Sequence, residues 1–393
     1  MSQRAHLGWE GIVTRRYDAI VVGVGGMGSA ACYHLARRGL RTLGLERFDI
    51  PHAMGSSHGI TRIIRLAYYE HPSYVPLLLR AFELWDDLAA ESGRGLLQVT
   101  GTIDASGPDE IVFTGSLESC QQWDLPYEVL TSAELTQRYP GYQLPADHLA
   151  LFQPRGGFLL PEQCISAHVN GALAAGAEIH ARERVLGWEA GDGGVRVITD
   201  HGAYEAEKLV LAAGAWIGAL VPSLRDLAVP ERQVLGWFAP LDRALFAPQR
   251  FPVFNLMVPE GRYYGFPEWD VPGFKIGLYH HRLEQVNPDD YHREADTTDE
   301  MILREATRRY FPQGNGSTLA LRTCMFTNTP DEHFIVDLLP GDERVIVASP
   351  CSGHGFKFAS VIGEVLADLA ATGETGHDIS LLRLSRFEMA GAG

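Results

Sequence analysis

Two lysines stand beside apolar residues of this sequence, where a positive charge needs a chemical reason. Lys275 lies in the stretch Gly-Phe-Lys-Ile-Gly-Leu-Tyr, and a partly buried lysine keeps its charge only where a polar or anionic group faces it. Lys357 follows the turn Ser-Gly-His-Gly at the start of a predicted helix, where a cation opposes the helix dipole. A bound carboxylate would account for Lys357. A solvated surface lysine is the alternative for both.

Three further residues have side chains suited to anion binding or to covalent chemistry. Arg62 and Arg65 lie three residues apart in a stretch rich in apolar residues, and the planar guanidinium binds a carboxylate through two hydrogen bonds. Cys324 follows an arginine and a threonine, and such polar surroundings can stabilise a thiolate. Two surface arginines and a buried, inert cysteine are the alternatives.

The elements that would position these residues begin with a glycine turn. Gly23, Gly25 and Gly28 have the G-x-G-x-x-G spacing between a predicted strand over 17–23 and a predicted helix over 29–38. A second predicted strand ends at Glu46, where the acid that binds a ribose is expected. The first glycine permits the tight turn, the second lets a pyrophosphate approach the backbone, and the third lets helix and strand pack closely. The unit predicts a dinucleotide site.

Nucleotide-type segments recur later in the chain, which favours FAD over NAD. The predicted strand over 208–212 runs into Ala-Gly-Ala, and a strand over 344–348 leads through Gly353 and Gly355 into a helix over 355–371. The N-terminus of that helix would direct N–H groups at a place where negative charge develops. Between these segments, the range 233–279 alternates aromatic and polar residues around Pro and Gly turns, which indicates an antiparallel sheet with one covered face.

These patterns predict an α/β fold in which a Rossmann-type FAD-binding domain of the glutathione-reductase class is interleaved with a substrate domain built on a mixed or antiparallel sheet. The expected division of the chain is discontinuous. Residues 17–90, 150–225 and 320–387 are assigned to the FAD-binding domain, and 91–149 and 226–319 to the substrate domain. The range 1–16 is an extension of unknown role.

Composition narrows the possible partners. The chain has 393 residues, of which 46% are hydrophobic and 21% charged, and its formal net charge is −16. That acidic balance argues against nucleic acid, whose phosphates require clustered Lys and Arg. The five cysteines are scattered without zinc-type spacing, so no metal site is expected. No apolar run is long enough to cross a membrane, and neither end carries a targeting signal, so we expect a cytoplasmic protein.

Three motifs resemble those of one enzyme family. They are the stretch Gly-Ser-Ser-His-Gly-Ile-Thr-Arg-Ile-Ile-Arg that ends at Arg65, the stretch Cys-Met-Phe-Thr-Asn-Thr-Pro-Asp-Glu-His-Phe that begins at Cys324, and Ser-Gly-His-Gly-Phe-Lys, which ends at Lys357. Together they resemble monomeric sarcosine oxidase, the peroxisomal sarcosine/pipecolate oxidases and N-methyltryptophan oxidase. The resemblance runs from about residue 17 to residue 387, nearly the whole chain.

The resemblance implies roles for the cofactor-side and carboxylate-side residues. Cys324 would bond covalently to the 8α-methyl carbon of FAD, and Arg62 would lie near the flavin with His58. Arg65 and Lys357 would bind the substrate carboxylate. Glu70 matches a family acid that interacts with this arginine and moves when substrate enters.

The resemblance also implies a site for oxygen and a pocket wall. Lys275 would activate O₂ on the flavin face opposite the substrate. Tyr264 and a histidine just after Lys275 match pocket residues, but one extra residue precedes that histidine here. His280 is favoured, with His281 or Tyr279 as alternatives.

Three further observations concern the pocket. Phe326 replaces a family tyrosine, which makes the pocket more apolar and favours L-pipecolate or a bulkier N-methyl amino acid over sarcosine. Cys351 stands where the bacterial sarcosine oxidases carry an aromatic residue and is a possible pocket residue. Met257 and Trp269 could belong to the pocket wall, although core packing is the favoured interpretation of both.

The function implied is oxidation of the C–N bond of secondary α-amino acids by a monomeric FAD enzyme, with O₂ reduced to H₂O₂. A dehydrogenase that passes electrons to another acceptor is one alternative. A flavin-binding redox protein without turnover is the other.

Overall fold

The glycine turn, its helix and the flanking strands form as the sequence predicts. The structure is a computed structural model that describes residues 16–191 and 193–390. The first strand, β1 (Arg16–Val22), leads through the turn into helix α1 (Gly26–Arg37), and β2 (Thr42–Leu45) pairs with β1 in parallel. Apart from Arg16, the predicted extension over 1–16 lies outside the described residues, as do the last three residues inspected for a C-terminal targeting signal.

The remaining elements alternate along the chain. The other strands are β3 (Arg62–Ile64), β4 (Leu97–Val99), β5 (Thr102–Ser106), β6 (Glu128–Thr131), β7 (Leu149–Gln153), β8 (Gly157–Leu159), β9 (Glu178–His180), β10 (Val185–Gly191), β11 (Gly194–Thr199), β12 (Ala203–Leu211), β13 (Val229–Phe238), β14 (Val253–Val258), β15 (Gly261–Phe266), β16 (Phe274–Leu278), β17 (Thr318–Asn328), β18 (Ile335–Leu339) and β19 (Asp342–Ser349). The other helices are α2 (Val75–Ser92), α3 (Ile111–Gln122), α4 (Ser132–Arg138), α5 (Pro161–Ala174), α6 (Ile217–Leu220), α7 (Thr297–Tyr310), α8 (Ala359–Thr372) and α9 (Ser385–Ala390).

The first large sheet is the nucleotide-type layer. Its strands run in the order β10-β11-β12-β1-β2-β9, and β19 joins it by pairing in parallel with the end of β12. The C-terminal parts of β1, β12 and β19 are runs of buried, mainly apolar residues, as expected where both faces of a parallel sheet are covered. Helices α1, α2, α5 and α8 pack together on one face.

The second large sheet has the order β17-β13-β16-β15-β14-β5-β7-β6. Its pairs are antiparallel except for the parallel pair β14–β5. A core rich in phenylalanine covers one face together with α7. The predicted α/β architecture with an interleaved mixed sheet is therefore confirmed. The division of the chain at particular residues stays a prediction, and β17 spans the expected boundary at 320.

Two turns deliver side chains to the space between the sheets. The segment after β3 leads from Arg65 to Glu70, and a short sheet of order β3-β8-β4 holds its start. The turn after β19 leads into α8. The helix predicted over 355–371 begins only at Ala359, because a 3-10 turn, Phe356–Phe358, precedes it.

Candidate functional site

One long cavity lies between the two large sheets. Its empty space, counted together with the open solvent at its mouth, is about 1790 Å³. One end is bounded by the glycine turn, Glu46 and Trp216, and the other by Tyr264, Cys324 and Lys357. The nucleotide-type motif and the three resemblance motifs therefore border one space.

The glycine turn forms for the reasons that its spacing predicts. Gly23 adopts a φ of +89°, which favours glycine. A Cβ on Gly28 would lie 1.7 Å from the carbonyl oxygen of Gly23, so only glycine allows this approach of helix to strand. A Cβ on Gly25 would have only Ser57 Oγ near it, at 4.0 Å, and would project into the cavity. The turn thus leaves room for a ligand beside the backbone.

Glu46 lies at the same end with its carboxylate fixed. It is 5% exposed, and it accepts hydrogen bonds from the backbone N–H of Val24 at 2.9 Å and of Phe48 at 3.0 Å. Since a carboxylate has about four lone-pair sites, it can still accept hydrogen bonds from ribose hydroxyls. The open space beside Gly25, the N-terminus of α1 and this acid together fit the nucleotide half of FAD.

Cys324 and Phe326 border the cavity from β17. Both are largely buried, at 3% and 9% exposure. Burial raises the pKa of the Cys324 thiol, while Arg62 and Lys275 oppose that rise. Gly353 packs on Phe326, since a Cβ there would meet the phenyl ring at 2.6 Å. The thiol and the glycine turn therefore lie on one cavity, as a shared ligand requires.

Cys351 borders the same cavity from the turn after β19. Burial raises the pKa of its thiol to about 11. Gly355 closes this turn, because a Cβ there would lie 1.7 Å from the carbonyl oxygen of Pro350. The turn needs glycine to hold its shape beside the cavity.

The pocket residue after Lys275 is Tyr279, not His280. Tyr279 borders the cavity beside Tyr264, with their ring centroids 5.1 Å apart. His280 points away because both of its ring nitrogens bond carboxylates, those of Glu231 at 3.0 Å and Glu332 at 2.9 Å. These two hydrogen bonds outweigh burial and raise the pKa of His280 to about 9.

The other residues considered for the pocket wall do not border the cavity. The side chain of His281 is fully buried and bonds Asp299 at 3.1 Å. Trp269 packs on Phe158, with ring centroids 5.2 Å apart, and Met257 is half-buried in β14. These three residues are absent from the cavity wall formed by the described residues.

Lys357 borders the cavity from the 3-10 turn before α8. It is 5% exposed, and its ammonium donates to the carbonyl oxygen of His354 at 2.6 Å. Burial, together with the charge of Arg65, lowers the pKa of Lys357 to about 7, although Glu70 opposes the change. Within the range of ordinary cellular pH, Lys357 can therefore gain or lose its charge.

Arg65 lies just behind this end of the cavity. It is 1% exposed, and its guanidinium lies 4.3 Å from the ring centroid of Tyr68 and 4.1 Å from that of Tyr69. In the guanidinium plane it donates to the carbonyl oxygen of Ala67 and, at 2.5 Å, to Glu70. The guanidinium of Arg65 is thus occupied by a carboxylate of the protein itself, and it does not reach the cavity surface.

Glu70 is held by charge rather than by a full set of hydrogen bonds. Burial would raise its pKa, but the charge of Arg65, with smaller contributions from His354 and Lys357, lowers it to about 2. Its Oε1 atom is buried and has no hydrogen-bond partner. An ionised carboxylate with one unpartnered oxygen is poorly suited to remain in place permanently.

Lys275 lies behind Arg62 and Phe266, which border the cavity. Its ammonium donates to the carbonyl oxygens of Gly59 and Thr61 at 2.7 and 3.0 Å, and to the Thr61 hydroxyl at 2.9 Å. Burial, and next the charge of Arg62, lowers the pKa of Lys275 well below its usual value. All three N–H donors are therefore used by the protein.

Arg62 completes this wall, and His58 precedes it in the same segment of the chain. Arg62 donates to the carbonyl oxygens of Thr61 at 2.8 Å and Ser56 at 2.7 Å. His58 is 7% exposed and its Nε2 atom is buried without a hydrogen-bond partner. Burial, with the charge of Arg62 next, lowers the pKa of His58 to about 3. The ring is therefore neutral, and it does not border the cavity.

Beside Arg65 lies an acid, Asp104, that the sequence did not indicate as part of the site. Asp104, on β5, lies 4.0 Å from the guanidinium and is fully buried. Asn255 and Ser116 hold its carboxylate. The signal that the sequence offers is an acid, Asp104, within a short strand, and the structure shows that all residues of this strand are buried. Nothing local in the sequence connects this acid to Arg65, which lies 39 positions away.

The described residues contain neither a membrane-spanning helix nor a cluster of metal ligands. Across 16–191 and 193–390, no helix is both long and apolar enough to span a bilayer. Nor do three or more His, Cys, Asp or Glu side chains in those ranges meet in a group able to hold a metal ion.

Comparison with known sequences gives a family and close relatives. The sequence model of the FAD dependent oxidoreductase family, DAO, matches residues 18–369. Monomeric sarcosine oxidase of Streptomyces avermitilis is 41% identical over 384 residues, which cover 96% of this chain and 99% of that protein. N-methyl-L-tryptophan oxidase of Yersinia pestis is 39% identical, with 94% and 99% covered.

Solved structures show the same fold. NikD, described as an unusual amino acid oxidase essential for nikkomycin biosynthesis, superposes with a TM-score of 0.81 at 28% identity and covers 94% of this chain and 98% of that one. L-proline dehydrogenase from P. horikoshii superposes with a TM-score of 0.84 at 21% identity, with 96% and 99% covered. At that identity the second likeness concerns the fold alone.

Proposed function

Because this chain belongs to the FAD-dependent oxidoreductase family, it is a flavin-dependent oxidoreductase, and we propose that it oxidises the C–N bond of secondary α-amino acids, with O₂ reduced to H₂O₂. The substrates are N-methyl amino acids such as sarcosine, or cyclic ones such as L-pipecolate. The observation that carries this proposal is the single cavity that joins the glycine turn to Cys324 and Lys357. The relatives named above act, by their names, on substrates of this class.

The residues of the cavity would hold the cofactor along its length. The glycine turn and Glu46 would hold the nucleotide half, and Cys324 would be the point of covalent attachment. When bound, FAD accepts a hydride equivalent from the amine and passes the electrons to oxygen. The positive charges of Arg62 and Lys275, which oppose the rise in the thiol pKa, support the choice of Cys324.

Arg65 and Lys357 would bind the substrate carboxylate. Lys357 already borders the cavity, whereas Arg65 is occupied by Glu70 at 2.5 Å. The substrate would therefore replace Glu70 as the partner of Arg65, and the unpartnered Oε1 of Glu70 supports this exchange. Fixing the carboxylate orients the amine and its neighbouring C–H bond, so that the reaction becomes effectively unimolecular.

Lys275 would stabilise the negative charge that develops on oxygen. Its ammonium has three protein oxygens around it, and these support the charged form. Its effect on oxygen would be exerted by its field through the wall that Phe266 and Arg62 form, because its N–H donors are already used.

The fully occupied N–H donors of Lys275 favour a second candidate, a dehydrogenase of similar substrates that uses another electron acceptor. A lysine without a free N–H donor at the cavity surface is less well placed to bind oxygen. Peroxide formed in equal amount to substrate consumed identifies the oxidase. Turnover with an artificial acceptor but without peroxide would identify the dehydrogenase. A flavin protein without turnover is disfavoured, because passive binding requires no buried pair such as Arg65 and Glu70.

The substrate preference is tested by comparing sarcosine, L-pipecolate and larger N-methyl amino acids as substrates. Phe326, Tyr264 and Tyr279 give the pocket an aromatic wall. We expect L-pipecolate, or an N-methyl amino acid larger than sarcosine, to have the highest kcat/KM, measured as peroxide release. A kcat/KM for sarcosine that exceeds the other values tenfold would contradict this preference.

Covalent attachment is tested by acid precipitation. The purified protein should be yellow, and the colour should stay with the precipitated polypeptide. Cys324→Ser should release the flavin into the supernatant, whereas the matched variant Cys351→Ser, at another cysteine of the same cavity, should retain it. Colour released entirely from the unaltered protein would remove the covalent claim.

The proposal extends to a monomeric enzyme of the cytoplasm. The bacterial sarcosine oxidases compared above are named as monomeric. All five cysteines lie in the described part of the chain and are free thiols, which fits a reducing compartment. Size-exclusion chromatography with light scattering would test the monomer.

A further inference from the structure

A second carboxylate faces the Arg65 guanidinium and is rigidly held. Asp104 is fully buried, with its Oδ2 atom 4.0 Å from Arg65 Nη1. The Ser116 hydroxyl donates to Oδ2 at 2.9 Å, and the Asn255 amide donates to Oδ1 at 2.7 Å. Burial raises the pKa of Asp104, whereas the charge of Arg65 and the two hydrogen bonds oppose that rise. Because both oxygens accept hydrogen bonds and a cation lies beside them, the contacts favour the ionised carboxylate. Three elements, α3, β5 and β14, fix its position.

The charges at this end of the cavity are balanced with Asp104 included. Arg65 and Lys357 are the two cations, and Glu70 and Asp104 are the two anions whose charges act on both. His354 adds no charge near neutral pH, because burial lowers the pKa of its ring to about 4. Its Nε2 lies 2.9 Å from the carbonyl oxygen of Glu332, and its Nδ1 bonds the hydroxyl of Tyr68.

The neighbouring charged groups are paired with one another. Arg262 bonds Glu332 at 3.0 Å. His280 lies between Glu332 and Glu231, at 2.9 and 3.0 Å. The charge of Arg262 also acts on Glu70, but two cations and two anions make up this chain of ion pairs, so it adds no net charge beside Arg65.

This balance limits what can replace Glu70. When a monocarboxylate takes the place of Glu70 beside Arg65, two cations again face two anions. A dicarboxylate would add a second negative charge beside the buried Asp104, which its hydrogen bonds with Ser116 and Asn255 hold in place. An unpaired buried charge is costly, so the second carboxylate is disfavoured.

We propose that Asp104 is a specificity-determining residue that restricts the site around Arg65 and Lys357 to ligands with a single carboxylate. This inference rests on the proposed function, because it takes Arg65 as the carboxylate-binding group. Asp104 acts through Arg65 and does not touch the substrate. It sets the net charge of the site rather than its shape.

The test compares two simple anions on the flavin-loaded enzyme at about pH 6.5, because Lys357, with a pKa lowered to about 7, is then mostly charged. Acetate carries one carboxylate and malonate carries two, and neither has an amine to oxidise. Their dissociation constants are measured from the change in flavin absorbance. The quantity of interest is the ratio of the malonate constant to the acetate constant, since changes that affect both ligands equally cancel in it.

Asp104→Asn should lower this ratio by about tenfold, because it removes the charge with little change of shape. Ser116→Ala, which removes a hydrogen bond but keeps the charge, should leave the ratio within twofold of the unaltered enzyme. Asp104→Ser repeats the measurement in case the asparagine variant does not fold. If neither charge-removing variant retains flavin while Ser116→Ala does, Asp104 is a structural residue and the inference is wrong.

Failure of this inference can be told apart from failure of the proposed function. Arg65→Met should abolish binding of both anions. If Arg65→Met binds acetate as tightly as the unaltered enzyme, or if acetate does not bind at all, the proposed carboxylate site is wrong. If acetate binding depends on Arg65 and the ratio in Asp104→Asn stays within twofold, only the role of Asp104 is overturned.

Discussion

The two ends of the cavity are built in different ways. At the nucleotide end, binding relies on backbone: glycines that allow close approach, the N-terminus of α1 and one acid, Glu46. At the carboxylate end, binding relies on buried side-chain charges, with Arg65 beside Glu70 and Asp104 and near Lys357. A backbone site depends on local conformation, whereas a charge site depends on the balance among groups from distant segments.

This difference explains what the sequence could reveal. The β1–α1–β2 unit is contiguous, so its glycine spacing and Glu46 could be predicted from residue types alone. Asp104 has no such local signal, and its approach to Arg65 depends on how β5 packs. The sequence favoured His280 and kept Tyr279 as an alternative for a similar reason, because the ion pairs of His280 with Glu231 and Glu332, which turn it away from the cavity, are long-range contacts.

The largest expected effect separates the two ends directly. Arg65→Met should reduce kcat/KM by about a thousandfold, because it removes the partner of the carboxylate and leaves Asp104 and Glu70 uncompensated. Flavin content, measured from absorbance, should not change. Arg47→Met, the same substitution at the nucleotide end of the cavity, should leave kcat/KM within threefold of that of the unaltered enzyme. Equal losses of kcat/KM in the two variants would remove the distinction between the ends.

The second prediction distinguishes the reduction of the flavin by substrate from its reoxidation by O₂. Lys275→Met should slow reoxidation of the reduced enzyme by O₂ by about a hundredfold, because a cation near the site of charge development is lost. Reduction by substrate should change by less than about fivefold. Stopped-flow measurement of the two half-reactions tests this, and similar losses in both would contradict the assigned role.

The carboxylate end should depend on pH, whereas the nucleotide end should not. The pKa of Lys357 is lowered to about 7, chiefly by burial, so the lysine is charged below that pH and neutral above it. The dissociation constant of acetate should be constant below about pH 7 and should rise by up to tenfold per pH unit above it. A bound carboxylate raises the pKa of Lys357. The dissociation constant should therefore stop rising once the pH exceeds the pKa of the lysine in the complex. Lys357→Met should flatten the profile, and an unchanged profile would exclude Lys357.

The smallest expected effect concerns the apolar wall. Phe326→Tyr should shift the ratio of kcat/KM for sarcosine to that for L-pipecolate by about fivefold in favour of sarcosine, because a hydroxyl makes the pocket more polar. Peroxide release with both substrates measures the ratio. A shift in the opposite direction would show that Phe326 does not disfavour sarcosine.

The most direct test of the whole account is anaerobic addition of L-pipecolate to the purified protein. We expect the flavin colour to bleach completely with about one equivalent of substrate per flavin, and to return on admission of air with a matching amount of peroxide. A flavin that stays oxidised in the presence of L-pipecolate, sarcosine and larger N-methyl amino acids alike would contradict the central claim that this cavity oxidises secondary amino acids.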